Sequence, residues 1–195
     1  ASDVYKRQRL IKHGILDRVI VGGTDSLSRF TINGFMTLMI LDKEQCKPFD
    51  AERKGLNLGE GAGFIVIESE KAAKGKEILA ELSGYGNAND AYHQTASSPD
   101  GAGALLAMEK AFKIANLKPS DIDYINAHGT GTQINDSSEG TALDKIFNKQ
   151  VPQISSTKAF TGQVTVLAMM AIMVAHRKGT ITEGKFRELL TELDT

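Results

Sequence analysis

Hydrophobic and polar positions along the chain change period from segment to segment, and those changes predict its elements. Arg18-Val19-Ile20-Val21, closed by Gly22-Gly23, is a short apolar run that predicts a buried strand ending in a turn. Gly34–Leu41 is apolar and predicts a helix, and Asp42–Leu58 is a polar loop around Lys47-Pro48-Phe49-Asp50. After Gly59-Glu60-Gly61-Ala62-Gly63, the β-branched run Phe64-Ile65-Val66-Ile67 predicts a strand. Lys71–Lys76 is a charged turn or short helix leading into a further strand, Ile78–Gly84. Gly86–Gly103 is a long loop rich in Asn, Asp, Ser and Gly, a length that goes with function or disorder. In Ala104–Ala115 the three-and-four spacing puts Leu105, Met108, Ala111, Phe112 and Ala115 on one helical face. Pro119 and Ile122–Ile125 predict a strand, Ser138–Phe147 a helix and Gln153–Ser156 a short strand. Glu183–Leu193 reads as an amphipathic helix with Phe186, Leu189 and Leu190 together. Strands that alternate with helices imply an α/β fold with a mixed or mostly parallel sheet.

Composition narrows the function classes. The 195 residues are 41% hydrophobic and 24% charged, ordinary for one or two globular domains. A net charge of −1 and dispersed basic residues give no electrostatic reason to bind nucleic acid or an anionic membrane. A single cysteine, Cys46, excludes a disulfide framework, a cysteine zinc site and an iron–sulfur centre. Its expected state is a partly buried small side chain. His13, His93, His128 and His176 lack metal-ligand spacing, so no metal site is expected. Gly59-x-Gly-x-Gly precedes a strand, whereas a dinucleotide fingerprint follows one, and no Gly-Lys-Ser/Thr phosphate loop occurs. Val164–Ala175 is the longest approach to an apolar span and is shorter than the roughly 18 residues a membrane helix needs. With a charged start that is no secretory signal, a cytoplasmic setting is expected. Asp3–Gln8 can be encoded by GAT GTG TAT AAG AGA CAG, which resembles a transposon end used as a sequencing adapter. Residues 1–8 are therefore set apart as a scar.

Chemistry concentrates at Asn126-Ala127-His128-Gly129-Thr130-Gly131-Thr132, which follows a predicted strand. Loops at the carboxyl ends of strands hold ligands in α/β folds. An imidazole there donates to a developing oxyanion or moves a proton near neutral pH. The glycines permit close backbone approach, and the two threonine hydroxyls serve a polar ligand. On the residues alone, a turn histidine with an ordinary structural hydrogen bond is an equal reading.

This segment resembles the Asn-Ala-His-Gly-Thr stretch of the β-ketoacyl-[acyl-carrier-protein] synthases, condensing enzymes of the thiolase fold. Three further segments fit the same family in order: Lys47–Asp50 with Gly59–Gly63; Asp90-Ala91-Tyr92-His93 with Thr95; and Ser155-Ser156-Thr157-Lys158 with Thr161-Gly162. The elongating type, which condenses acyl groups with malonyl-carrier protein, is the most similar. The resemblance implies a partial thiolase-like fold, the end of the first pseudo-repeat plus most of the second. It implies His128 and Lys158 as catalytic residues, Thr130 and Thr132 on the pantetheine arm, and Thr95 and His93 beside the substrate entrance. Glu139 matches the acidic residue placed near the lysine. It also implies acyl and malonyl thioesters as substrates, an acidic carrier protein as partner, a homodimer for the whole protein and no cofactor. The pathway would be fatty-acid, polyketide or aryl-polyene synthesis.

The departures imply that the isolated chain is inactive. The family's nucleophilic cysteine lies in a segment upstream of this chain, and Cys46 is misplaced for that role. Gln163 stands where the family has its second histidine, and the bulky Val164–Met170 replaces a run of small residues. An amide does not ionise as imidazole does. His176 in the tail reads as a solvated helix-end residue. The expected organisation is residues 1–8 as scar, 9–77 as the end of the N-terminal half, 78–162 as the C-terminal half, and 163–195 as a chimeric or frameshifted tail. Two alternatives stay open: a non-catalytic partner subunit like a chain-length factor, and an unstable structural fragment whose cut core exposes apolar surface.

Overall fold

The computed structural model describes residues 2–94 and 96–156. These form two compact units that interleave along the chain. One holds the residues up to Asp25 with Glu60–Leu82, and the other holds Ser26–Gly59 with the described residues from Ser83 onward.

In the first unit, α1 (Ser2–Lys12) packs on an antiparallel ribbon of β1 (Arg18–Asp25) and β2 (Gly61–Glu68). The set-apart residues 2–8 are thus helical, and Gln8 Nε2 donates to the Leu82 carbonyl at 2.6 Å. Gly22 and Gly23 do not turn the chain as expected. They continue β1, pairing with Phe64 and Gly63, because a Cβ at Gly22 would strike the Phe64 ring that lies across it. The ribbon alternates as a half-buried strand should. Val19, Val21, Ile65 and Ile67 face inward, while Ile20, Phe64 and Val66 are 70%, 63% and 64% exposed. At the open end, Glu68 lies 2.5 Å from both Lys76 Nζ and Arg18 Nε. The Lys76 hydrogen bond first, and then both cations, hold its carboxyl below the ordinary range. Ser69 caps the short helix α3 (Glu70–Ala73) by accepting from Ala72 N at 3.2 Å.

In the second unit, α2 spans Arg29–Thr37, earlier than the predicted Gly34–Leu41. Ser28 starts it by accepting from Thr31 N at 3.1 Å, and Met39 at φ +54° follows its end. Ile78–Gly84 belongs to neither sheet, against expectation. At its end, Gly84 and Gly86 lie flat on α4 (Ala102–Ala115), where a Cβ at either would strike the carbonyl of Ala111 or Ala107. The predicted face of α4 is the one turned inward, though all five of its residues are only half-buried. A 3-10 turn, Pro119–Asp121, leads to β3 (Tyr124–Asn126), and α5 (Gln133–Ile146) begins five residues before its predicted start. β4 (Gln153–Ser155) pairs in parallel with β3, so the described residues hold one antiparallel and one parallel pair. Phe112 meets Phe147 edge-on at 6.1 Å between α4 and α5, over the buried Ala142 and Leu143.

The loop before α4 is folded around Asp90, which accepts from Ser98 N at 2.9 Å and Tyr92 N at 3.1 Å. The Ser98 bond first, and then the Tyr92 bond, hold its carboxyl below the ordinary 3.8. A folded pKa below the unfolded one adds stability above 3.8, which is lost as pH falls through the lowered value. Asp90→Asn should therefore flatten the acid limb of stability measured by urea unfolding at descending pH; an unchanged limb contradicts this. In α5, Gly140 has open space where a Cβ would stand, so Gly140→Ala should stabilise by about 0.5–1 kcal/mol. Gly101 at φ +68° would put a Cβ 2.5 Å from the Ser138 carbonyl, and Gly101→Ala should destabilise by about 1–3 kcal/mol. Opposite shifts of the urea midpoint check the pair.

Candidate active site

The parallel pairing of β3 with β4 continues one residue past the strands, with Ala127 N donating to Ser155 O at 2.8 Å. This hands the chain into the Asn126–Thr132 loop. His128 and Gly129 present adjacent N–H groups there, and Glu139 of α5 accepts both, at 2.7 and 2.8 Å. Ser156, just after β4, donates to the Gly129 carbonyl at 2.8 Å. Backbone bonds at two edges hold the loop, leaving His128 exposed at its turn.

Thr130 and Thr132 are half-buried, and their hydroxyls lie 2.9 Å apart. Thr132 also stands at the start of α5, where its own side chain makes no capping bond, so its hydroxyl is not committed to the helix. His128, Thr130, Thr132 and Glu139 are thus brought together. Thr95 and Lys158 lie outside the described residues, as do Gln163, His176 and the predicted Glu183–Leu193 helix. His93 lies exposed in the loop before α4.

Asp136 and Arg53 are the main residues that sequence reasoning missed. Asp136 is 2% exposed, inside α5. Its carboxylate accepts from Phe49 N at 2.8 Å, Gly131 N at 3.2 Å and Asn135 Nδ2 at 3.2 Å. Arg53 Nε stands 3.7 Å from it. Arg53 also donates to the Asp50, Thr132 and Gln133 carbonyls, at 2.7, 3.4 and 3.3 Å, and to Ser137 Oγ at 2.9 Å. The signal available was an acid three residues before Glu139 on a helix, placing both on adjacent turns of one face.

Cys46 is half-buried, and its thiol donates to the Thr130 carbonyl at 3.2 Å while its N–H is held by Asn57 Oδ1 at 2.7 Å. Burial, followed by the Asp136 charge, pushes the thiol above the ordinary 9.0. A thiol so placed is a poor nucleophile. Among the described residues, no group of three or more His, Cys, Asp or Glu side chains is arranged to hold a metal ion. No helix among them is long and apolar enough to cross a membrane.

Two family models match this chain. Beta-ketoacyl synthase, C-terminal domain, matches residues 79–182, and Beta-ketoacyl synthase, N-terminal domain, matches residues 4–73. The C-terminal match continues beyond Gly162, and the N-terminal match begins inside the set-apart residues. The chain is 39% identical over 166 residues to "3-oxoacyl-[acyl-carrier-protein] synthase 2" of Staphylococcus aureus, covering 80% of this chain and 41% of that protein. It is 38% identical over 195 residues to "3-oxoacyl-[acyl-carrier-protein] synthase, mitochondrial" of Arabidopsis thaliana, covering 90% and 42%. Among solved structures, the ketosynthase ApeO in complex with its chain length factor ApeC, from Xenorhabdus doucetiae, gives a TM-score of 0.79 at 36% identity, covering 89% of this chain and 43% of that chain. The chain therefore spans about two fifths of the length of these relatives. The fold is the partial thiolase-like fold of ketosynthases.

Two outcomes test the site. Asp136→Ala leaves Arg53 and two backbone N–H groups without their buried acceptor and should destabilise by about 3–5 kcal/mol, read by urea unfolding. Alkylation of Cys46 should show a pH midpoint above 9.0 that falls in Asp136→Asn; a midpoint below that value contradicts the placement. On these matches, the chain belongs to the β-ketoacyl synthase family.

Proposed function

We propose that this chain is a segment of a 3-oxoacyl-[acyl-carrier-protein] synthase whose whole protein joins an acyl thioester to malonyl-carrier protein with loss of carbon dioxide. The carrying observation is the His128–Gly129 turn, held by both oxygens of Glu139 at the carboxyl end of β3. In the whole protein an upstream cysteine would hold the acyl group as a thioester. Breaking the malonyl carboxyl bond would release carbon dioxide and leave its electron pair as an enolate. The enolate carbon would then bond to the acyl carbonyl carbon and expel the cysteine thiolate. His128 would donate to the oxygen on which negative charge develops. Thr130 and Thr132 would bind the pantetheine arm, Thr95 would border the entrance, and Lys158 with Glu139 would support the site.

The raised thiol of Cys46 supports the reading that this cysteine carries no acyl group. With Gln163 at the second histidine's position, the 195-residue chain by itself would be inactive. An acidic acyl carrier protein, a homodimeric whole protein and a cytoplasmic location complete the proposal, with the two halves joined near 77–78. A second reading, a non-catalytic partner like a chain-length factor, rests on the same Gln163.

Incubated with acyl- and malonyl-carrier protein, the chain should yield no condensation product and no thioester on Cys46 by mass spectrometry. A thioester there sinks the proposal. Long-read sequencing of the locus should find an upstream cysteine segment and a histidine codon at position 163; an intact frame retaining Gln163 favours the partner subunit. In the whole protein with histidine at that position, His128→Ala should lower condensation by about 10²–10⁴-fold.

A further inference from the structure

The segment Cys46–Gly55 lies far from the histidine loop in sequence, yet it meets that loop at four successive residues. The Phe49 ring abuts Gly129, where a Cβ would come 3.0 Å from Phe49 Cε2. Cys46 donates to the Thr130 carbonyl, and the Gly55 carbonyl would lie 2.5 Å from a Cβ at Gly131. Arg53 reaches the Thr132 carbonyl at 3.4 Å. Phe49 itself has φ +60°, a left-handed backbone that a bulky side chain rarely adopts. Such a conformation persists only where surroundings over-determine it. Here the determinant is Asp136, which takes the Phe49 N–H with one oxygen and the Gly131 N–H with the other.

We infer that Phe49 is a positioning residue for His128. Its ring, fixed by the Phe49–Asp136 bond, sets the path of Gly129 and so the direction from which the imidazole leaves the loop. The inference rests on the synthase reading for its catalytic meaning, but its geometry does not. Three features make the ring a support rather than mere filling. It touches a glycine, so the contact acts on backbone directly. That glycine, at φ +42°, has no side chain of its own to fix its path, so its conformation is set by what packs against it. Glu139 takes the Gly129 N–H and Ser156 bonds its carbonyl, so the ring adds a third contact, beside Ser156, to a residue already held at both ends.

The test is nuclear magnetic resonance on the 195-residue chain, comparing Phe49→Tyr, Phe49→Leu and Phe49→Ala with the unaltered protein. In the unaltered chain the ring current should displace one Gly129 α-proton, and the His128 and Gly129 amides should exchange slowly. Phe49→Tyr should keep both signatures. Phe49→Leu and Phe49→Ala should lose the displacement and about tenfold of the exchange protection at His128 and Gly129, while amides within α5 keep theirs. Protection that is unchanged in Phe49→Ala, or that falls equally through α5, overturns the inference, and so does an unaltered chain without protected His128 and Gly129 amides. These readouts need no condensation, so failure of the whole protein to condense acyl groups would count against the proposed function alone.

Discussion

A carboxylate taken out of water must find donors, and the second unit is arranged around the donors that Asp136 finds. Desolvating such a charge costs several kcal/mol, which only well-placed hydrogen bonds and a cation offset. Asp136 draws its bonds from Phe49, Gly131 and Asn135, with Arg53 beside it. Two of these partners lie in the polar segment before β2 and one in the histidine loop. A single buried charge on α5 therefore joins stretches that local propensity would leave independent. The start of α5, the bend at Gly131 and the left-handed Phe49 all follow from satisfying it.

The same charge explains which parts of the fold were legible in the sequence. Where apolar side chains carry the signal, as in Phe64–Ile67 and the inward face of α4, the elements fall where periodicity puts them, while the strand predicted at Ile122–Ile125 begins two residues later, as Tyr124–Asn126. The first turn of α5 was hidden because its buried positions are polar. Asp136, 2% exposed, occupies a place where a hydrophobic pattern would show leucine or alanine. The start of α2 was hidden because its signal is the hydroxyl of Ser28 rather than any apolar spacing. Gly22-Gly23 misled for the reverse reason. Glycine there makes room for a ring on the opposite strand, which no local rule records. At the site, His128, Thr130 and Thr132 were legible because they are contiguous. Arg53 and Asp136 were not, since their meaning arises from contact across the chain.

The loop's own side chains do little of the holding. Glu139, Ser156, Cys46 and Arg53 all act on backbone N–H and C=O groups of residues 128–132. Holding by backbone N–H and C=O groups lets neighbouring residues set the path of the loop without drawing on its imidazole, which suits a preorganised polar site. It also places the geometry of the loop under the control of residues that need never touch a ligand.

The close approach of Cys46 to Gly131 reaches into how such chains diverge. With the thiol lodged on the Thr130 carbonyl and no room for a Cβ at Gly131, neither position has space to enlarge while the other stays as it is. A bulkier residue at 46 would need the Gly131 turn displaced, and a side chain at 131 would need a hollow at 46. In a lineage of homologous chains, the two sites are therefore coupled, exchanging in concert or remaining small together.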